Sequence, residues 1–403
     1  MNAVMYGAGN IGRGFVGALL AKSGYAVTFI DISQVVINSL NERHCYPIRI
    51  VSSEGYEDVE VSGVNAIHGT DTNAVAEAIA AADILAVSVG ANVLPKIANN
   101  ISTGLRKRWA MTDAPLNILI CENLMDADKI LENLISDDLN HEERIILKNS
   151  VGFIETSIGR MVPVQTPDMQ DGDPMRICVE QYDFLPIDKD AIKGEIPAIE
   201  KLVPFSPFGF YLRRKLYIHN MGHAVCAYLG IYTGQSFIYE AMADGNIHLI
   251  VKEAMSESMI ALSNEYNIPM QEILYHIDDL LLRFTNRALK DTCARVGGDP
   301  ARKLAHTDRL IGSALFCEKH GLKPVGIAVG IAGAIYQYLN EHECIQNDAN
   351  AEKVMSELAN LESNSELGSV IIEFYQMYRS GTSPAQLFQA IQNRKKQNTA
   401  EVV

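Results

Sequence analysis

The stretch Asn2-Ala3-Val4-Met5-Tyr6 runs directly into Gly7-Ala8-Gly9-Asn10-Ile11-Gly12-Arg13-Gly14. A short apolar strand meets a G-x-G-x-x-G loop, and a helical pattern (Phe15, Val16, Ala18, Leu19, Leu20) follows at once. A second apolar run, Ala26 to Ile30, closes on Asp31, nineteen residues after Gly12. Each part has a physical task. Gly7 permits the tight turn, Gly9 lets the backbone approach a pyrophosphate, and Gly12 lets helix and strand pack closely. The N–H groups and dipole of the helix start, at Asn10, Ile11 and Gly12, attract phosphate. Asp31 stands where a carboxylate accepts hydrogen bonds from an adenosine ribose. An ordinary strand-to-helix turn with a solvated Asp is the bland alternative. Strand, loop, helix, strand and acid in this order, within about 30 residues, favour a dinucleotide site. A carboxylate at position 31 repels a 2′-phosphate, so NAD is expected over NADP, with Arg13 able to offset part of that repulsion.

The rest of the composition narrows the class. At 403 residues, nearly half of them apolar, the chain is long enough for two or three domains. No apolar run reaches the 18 or more residues of a membrane span. Met1 leads straight into a strand that the fold needs, so no signal peptide is expected. Seven cysteines form no C-x-x-C pair. That suits a reducing cytoplasm and argues against a disulfide framework or a zinc-thiolate site. A formal charge of −15 disfavours nucleic acid and anionic membrane surfaces as partners. A small-molecule partner is expected, with the chain a monomer or homodimer.

Working outward, the first half alternates strand and helix. Residues 46–51 and 56–61 read as a hairpin inserted after the second main strand. Residues 71–82 read as a helix, and 84–89, 116–120 and 151–154 as further strands. Repeated βα units imply an α/β Rossmann-type doubly wound sheet, with ligands beyond the carboxyl ends of its strands. Gly90, Asn92 and Asn123 fall at such ends. Residues 177–184 read as a last strand and 188–207 as a connector. From about Tyr211 the pattern is helical (215–229, 247–266, 270–284, 325–342, 351–361, 370–378, 384–394), so the second domain is expected to be all-α. The division is expected at 1–190 and 191–403, and fraying from about Lys395.

The second informative segment is Arg213-Arg214-Lys215-Leu216-Tyr217-Ile218-His219-Asn220-Met221-Gly222-His223. On an α-helix, Lys215, His219, Asn220 and His223 share a sector about 140° wide. Hydride chemistry needs one group to take the hydroxyl proton and others to hydrogen-bond the developing oxyanion. Two bland readings stay open here: a solvated polar face, and a metal pair at His219 and His223, for which the segment carries no carboxylate.

GAGNIGRGF at the N-terminus, KLYIHNMGHAVCAYLG in the middle and the later RVGGDPARKL with DRL resemble the long-chain polyol (mannitol) dehydrogenase family, from Met1 to about Ile331. Chain length and loop suit its mannitol-phosphate branch. The resemblance implies a 6-phosphogluconate dehydrogenase-like helical domain, NAD as cofactor and metal-free catalysis. By its K-x-x-x-x-N-x-x-H motif, Lys215 resembles the catalytic lysine, Asn220 the amide on the reacting oxygen and His223 the histidine that positions substrate. Asn123, in Cys121-Glu122-Asn123, resembles the second oxyanion amide. Arg295 and Lys303 match residues that face the sugar. They lie in Arg283 to Arg309, a local island of seven basic and three acidic side chains. A structural Arg–Asp ion-pair network is the alternative for that island. Gly159, Arg213 and Asp299 depart from the family pattern.

The expected activity is NAD-dependent interconversion of mannitol 1-phosphate and fructose 6-phosphate. The alternatives are a relative acting on an unphosphorylated polyol or a hexuronate, and a non-catalytic dinucleotide-binding sensor.

Overall fold

The computed structural model describes residues 1–124 and 126–400. The chain divides into two compact units, Met1–Gly209 and Phe210–Val403. The strands of the first unit are β1 (Asn2–Tyr6), β2 (Ala26–Asp31), β3 (Cys45–Ser52), β4 (Gly55–Ser62), β5 (Val64–His68), β6 (Ile84–Val87), β7 (Leu116–Ile120), β8 (Val151–Glu155), β9 (Ile177–Glu180), β10 (Leu185–Asp188) and β11 (Leu202–Phe205).

Six of them form a parallel sheet in the order β5-β2-β1-β6-β7-β8. The order reverses between β1 and β6, which is the switch point where such sheets open a crevice for ligands. Side chains alternate across the sheet. Val4 and Tyr6 enter one core with Ile30, Leu85, Val87, Ile118 and Ile120. Met5 enters the other with Phe15, Leu19, Phe29, Leu119 and Ile154. Both faces are covered by helices or the small sheet, so the strands read as continuous apolar runs rather than as alternating ones. Each fully buried side chain of this size contributes roughly 1.5–3 kcal/mol.

The inserted hairpin is β3–β4, paired antiparallel from Cys45↔Ser62 to Ser52↔Gly55. Three features went unread in the sequence. The edge strand β5 follows the hairpin after a single residue, and its Val-Asn-Ala-Ile-His pattern is short and mixed. The run at 177–184 is a strand only to Glu180, and it pairs in parallel with β3 rather than joining the main sheet. The connector holds β11, which pairs in parallel with β10. The expected division after residue 190 therefore falls between two paired strands, and the compact units part at Gly209 instead.

Among its described residues, the second unit contains helices and no strand longer than an isolated bridge. The helix Val325–Glu341 is buried over its first three turns. A Cβ at Gly330 would collide with Val225, so glycine is what lets the helix Met221–Tyr232 approach. The start of the buried helix has no side-chain cap of its own. Glu257, from the helix Gly245–Tyr266, supplies one by accepting hydrogen bonds from Gly326 N (2.7 Å) and Ile327 N (3.0 Å). Burial pushes its carboxyl up to about 8.

The expected fraying from Lys395 is corrected: the helix Pro384–Ala400 runs on through it. Leu387 and Ile391, four apart on one face, are fully buried. Lys395 pairs with Glu253 and lies 4.0 Å from Glu257, so tertiary contacts hold a segment whose composition alone looks solvated.

Candidate active site

The glycine loop sits at the switch point. Gly7 N donates to Ile30 O (2.8 Å) and Ser88 N to Tyr6 O (2.8 Å), which ties the ends of β1, β2 and β6 together. Gly7 has φ +101°, and a Cβ there would collide with Ser88 O. A Cβ at Gly12 would strike Gly7 O, whereas the space above Gly9 is open. Gly9 and Asn10 are exposed and Ile11 is half-buried. The following turn, Gly12–Val16, is π-helical, a form that recurs at functional sites. Asp31 Oδ2 accepts from Ala8 N (2.7 Å), and Oδ1 accepts from Ile32 N (2.8 Å) and Ser33 N (2.9 Å). A carboxylate offers about four lone-pair sites, so three bonds leave room for a ribose hydroxyl.

Arg13 is not available to offset a 2′-phosphate. Its side chain is turned inward and buried, with Nε on Ala8 O (2.7 Å) and Nη1 on Met175 O (2.7 Å). Burial pushes its guanidinium pKa down, against the opposing pull of Tyr46, Asp31 and Asp173. Arg160 lies on the far side of the same turn, buried, bonding Glu180 O (2.8 Å) and Gly14 O (3.3 Å). Both arginines brace the loop from behind.

At the ends of β6 and β7, Gly90 has φ +90° and Asn92 stands exposed on the short turn Ala91–Val93. Asn123 is also exposed. Between them lies a residue that sequence reasoning missed. Glu122 is buried, and its Oε1 accepts from Val89 N (2.7 Å) and Gly90 N (3.0 Å). Burial raises its pKa, opposed by those two N–H groups. The signal was available: an acid directly after the buried run Leu116–Cys121.

In the second unit, Lys215–Asn220 is a π-helical turn between the helices Gly209–Arg214 and Met221–Tyr232. Its hydrogen bonds close on i+5. Lys215 and Asn220 would be about 140° apart on a regular α-helix, and the wider turn draws them toward one side. His219 points inward. It is buried against Phe284, ring centroids 5.9 Å apart. Burial, then Arg283, His223, His276 and Lys215, hold its pKa well below the usual imidazole range, so it is neutral.

His223 stacks on Phe284 at 4.6 Å and 15°. Its Nε2 lies 3.2 Å from Asp291 Oδ2, with the ring N–H off the direct line to the oxygen. Arg295 holds the other side of that carboxylate, with Nη2 at 2.6 Å and Nε at 2.8 Å from Oδ1. Burial would raise the Asp291 pKa, but His223 and Arg295 outweigh it and keep the group below the usual carboxylate range. Asp291 is a second missed residue, 68 positions beyond His223.

The basic island is largely self-paired. Arg302 bonds Asp299 (2.9 Å) and Asp308 (3.3 Å), Arg309 bonds Asp308 (2.8 Å), and Arg283 bonds Asp279 (3.3 Å). Lys303 differs. Its side chain is buried, and among the described residues no carboxylate pairs with its ammonium. Burial, then Arg309 and Arg302, lower its pKa to about 8.

A doubly wound sheet with a glycine loop at its switch point, followed by a helical unit that presents a lysine, an amide and an imidazole from one segment, defines a two-domain oxidoreductase. The chain belongs to the mannitol dehydrogenase family: residues 1–201 match its Rossmann domain and residues 209–396 its C-terminal domain. It is similar to mannitol-1-phosphate 5-dehydrogenases of Thermoanaerobacter pseudethanolicus (38% identical, 93% of this chain and 97% of the relative) and Brevibacillus brevis (37%, 88% and 90%). A third relative of that name, from Shouchella clausii, is 39% identical over 84% of this chain and 89% of its own. The chain is thus a dehydrogenase of the mannitol dehydrogenase type.

The fold is shared with Pseudomonas fluorescens mannitol 2-dehydrogenase, solved as a ternary complex with NAD and D-mannitol (TM-score 0.77, 13% identity, 98% of this chain and 94% of that one). It is shared equally with a D-sorbitol dehydrogenase in substrate-free form (TM-score 0.79, 15%, 96% and 94%). Among the described residues no helix is long and apolar enough to cross a membrane.

Proposed function

We propose that the chain is an NAD-dependent oxidoreductase that interconverts mannitol 1-phosphate and fructose 6-phosphate, with Lys215 as the acid and base. The observation that carries the substrate is the identity of 37–39%, over most of the chain, to relatives bearing that activity in their name. The cofactor reading rests on the loop: open space above Gly9, a helix start with free N–H groups, and an Asp31 carboxylate with a lone pair to spare. Gly7, Gly9, Asn10, Ile11, Gly12 and Asp31 would hold the adenosine and pyrophosphate, and Gly90 and Asn92 the nicotinamide half. NAD held there would supply the hydride acceptor for oxidation of the alcohol carbon, and NADH the hydride donor for reduction of the ketone.

The remaining chemistry falls to the chain's own side chains. In polyol oxidation Lys215 takes the hydroxyl proton, and in ketose reduction it gives it back. Asn220 donates to the reacting oxygen as its charge grows, with Asn123 as the second amide. His223 orients the neighbouring hydroxyl. Of the two residues expected to face the sugar, Lys303 has the stronger case. A buried ammonium with no carboxylate partner is costly unless a ligand completes it. Arg295 acts from a fixed position on Asp291.

One observation favours an unphosphorylated polyol or hexuronate instead: Arg295, Arg302 and Arg309 are already paired. A spectrophotometric panel of NADH and NADPH against fructose 6-phosphate, fructose, tagaturonate and fructuronate separates the readings. The proposal requires fructose 6-phosphate with NADH to give the highest kcat/KM. A higher value for any unphosphorylated ketose sinks it, and no turnover with any of them leaves a cofactor-binding protein.

A further inference from the structure

We propose that Asp291 is a positioning residue for the reaction: one buried carboxylate sets the ring of His223 and the fork of Arg295 together. The inference rests on the reading that His223 faces substrate.

The geometry has three parts. The backbone is pinned on both sides of Asp291, since Ile238 N donates to Asp291 O (2.9 Å) and Cys293 N to Ser236 O (2.9 Å). Thr292, the next residue, caps the helix Cys293–Gly297 by accepting from Arg295 N (3.2 Å). The carboxylate is therefore placed by the fold, with only 9% of its side chain exposed. Its two oxygens are divided between two partners, Oδ2 toward His223 Nε2 and Oδ1 toward Arg295. Phe284, stacked on the imidazole, fixes the plane of the ring.

The chemical consequence concerns the other ring nitrogen. A neutral imidazole has one donor and one acceptor nitrogen, and the partner of one decides the role of the other. With Nε2 3.2 Å from a carboxylate, the negative charge favours the proton on Nε2 even though the N–H lies off the direct line, and Nδ1 is then left as an acceptor for a substrate hydroxyl. Without Asp291 the ring can carry its proton on either nitrogen and present the wrong one. Arg295 gains in the same way, because a guanidinium held by two contacts to one oxygen offers its remaining N–H groups in a fixed direction.

The test compares the full-length chain with Asp291→Asn, His223→Gln and the double variant. Readouts are kcat and KM for fructose 6-phosphate, NADH affinity by fluorescence, thermal melting, and the His223 tautomer by ¹⁵N NMR. Asp291→Asn is expected to lower kcat/KM at least about tenfold, with NADH affinity unchanged within about twofold. Adding it to His223→Gln is expected to cost clearly less than it costs alone, because the His223 share of the coupled arrangement is already gone and only the Arg295 contact is left to lose. Losses that multiply in the double variant overturn the inference. So does an impaired His223→Gln beside a normal Asp291→Asn. A normal His223→Gln removes the underlying reading of His223 instead, and the inference with it. Should Asp291→Asn unfold at the assay temperature, the wild-type tautomer decides alone: Nε2–H supports the proposal and Nδ1–H ends it.

Discussion

The glycine loop of the first unit and the helical segment of the second are built on opposite plans. The loop offers backbone. Gly9 and Asn10 are exposed with open space above Gly9, Gly7 and Gly12 allow the close backbone approach behind them, and the two nearby arginines turn inward to brace carbonyls. The helical segment offers side chains, and most of these lean on another side chain: His223 on Phe284 and Asp291, and Arg295 on Asp291. A site made of backbone is broken by adding atoms. One made of side chains is broken by removing them.

The largest effect tests the side-chain plan at its centre. Lys215→Ala is expected to lower kcat by about 10²–10⁴-fold, the usual reach of a general acid–base group, with NADH affinity unchanged. Steady-state kinetics beside a fluorescence titration check it, and near-normal turnover removes Lys215 from the mechanism. Gly12→Ala is the converse experiment. The added methyl meets Gly7 O, a backbone atom that cannot step aside. NADH affinity is expected to fall at least about tenfold, with about 1–3 kcal/mol lost from stability, as for other overpacked sites. Unchanged NADH affinity in this variant contradicts the backbone plan.

A smaller effect separates Lys303 from its paired neighbours. Its amine is cationic below about 8 and neutral above. KM for a sugar phosphate is therefore expected to climb as pH rises through that value. Lys303→Met should raise KM several-fold at pH 7 and flatten the climb, and initial rates from pH 6.5 to 9 measure both. A climb that survives the substitution belongs to another group.

The smallest effect marks where the comparison stops. The first unit also carries a side-chain charge problem, at Glu155 on the end of β8. Burial, then Asp128, Asp126 and Asp188, push its carboxyl up to about 7 from 4.5. The folded pKa is the higher one, so the stability Glu155 contributes is full below about 4.5 and is lost as pH rises through 7. Glu155→Gln should remove that slope, leaving the variant a few degrees higher in Tm than the wild type at pH 8, on the order of what about 1 kcal/mol gives. Equal Tm differences at pH 5 and pH 8 would show that the group does not titrate with folding.

These contrasts explain what could be read in advance. The main strands and long helices were legible because burial imposes a local pattern. A parallel sheet covered on both faces writes continuous apolar runs, and the helix Met270–Phe284 writes a 3.6-residue period. Strands β5 and β11 were illegible because each is short and gains its identity from the strand beside it. The helical tail past Lys395 needed Glu253 to be seen.

The same division runs through the site. The glycines, Asp31, Lys215, Asn220 and His223 follow from chain order, because a loop with its helix, or residues a turn apart, are neighbours by covalent geometry alone. Which way Arg13 turns, that Glu122 holds the turn at Gly90, that a π turn draws Lys215 toward Asn220, and that Asp291 stands behind His223 were decided by packing. Those partners lie far along the chain or depend on burial, and no local pattern records which distant group fills the space beside a buried charge.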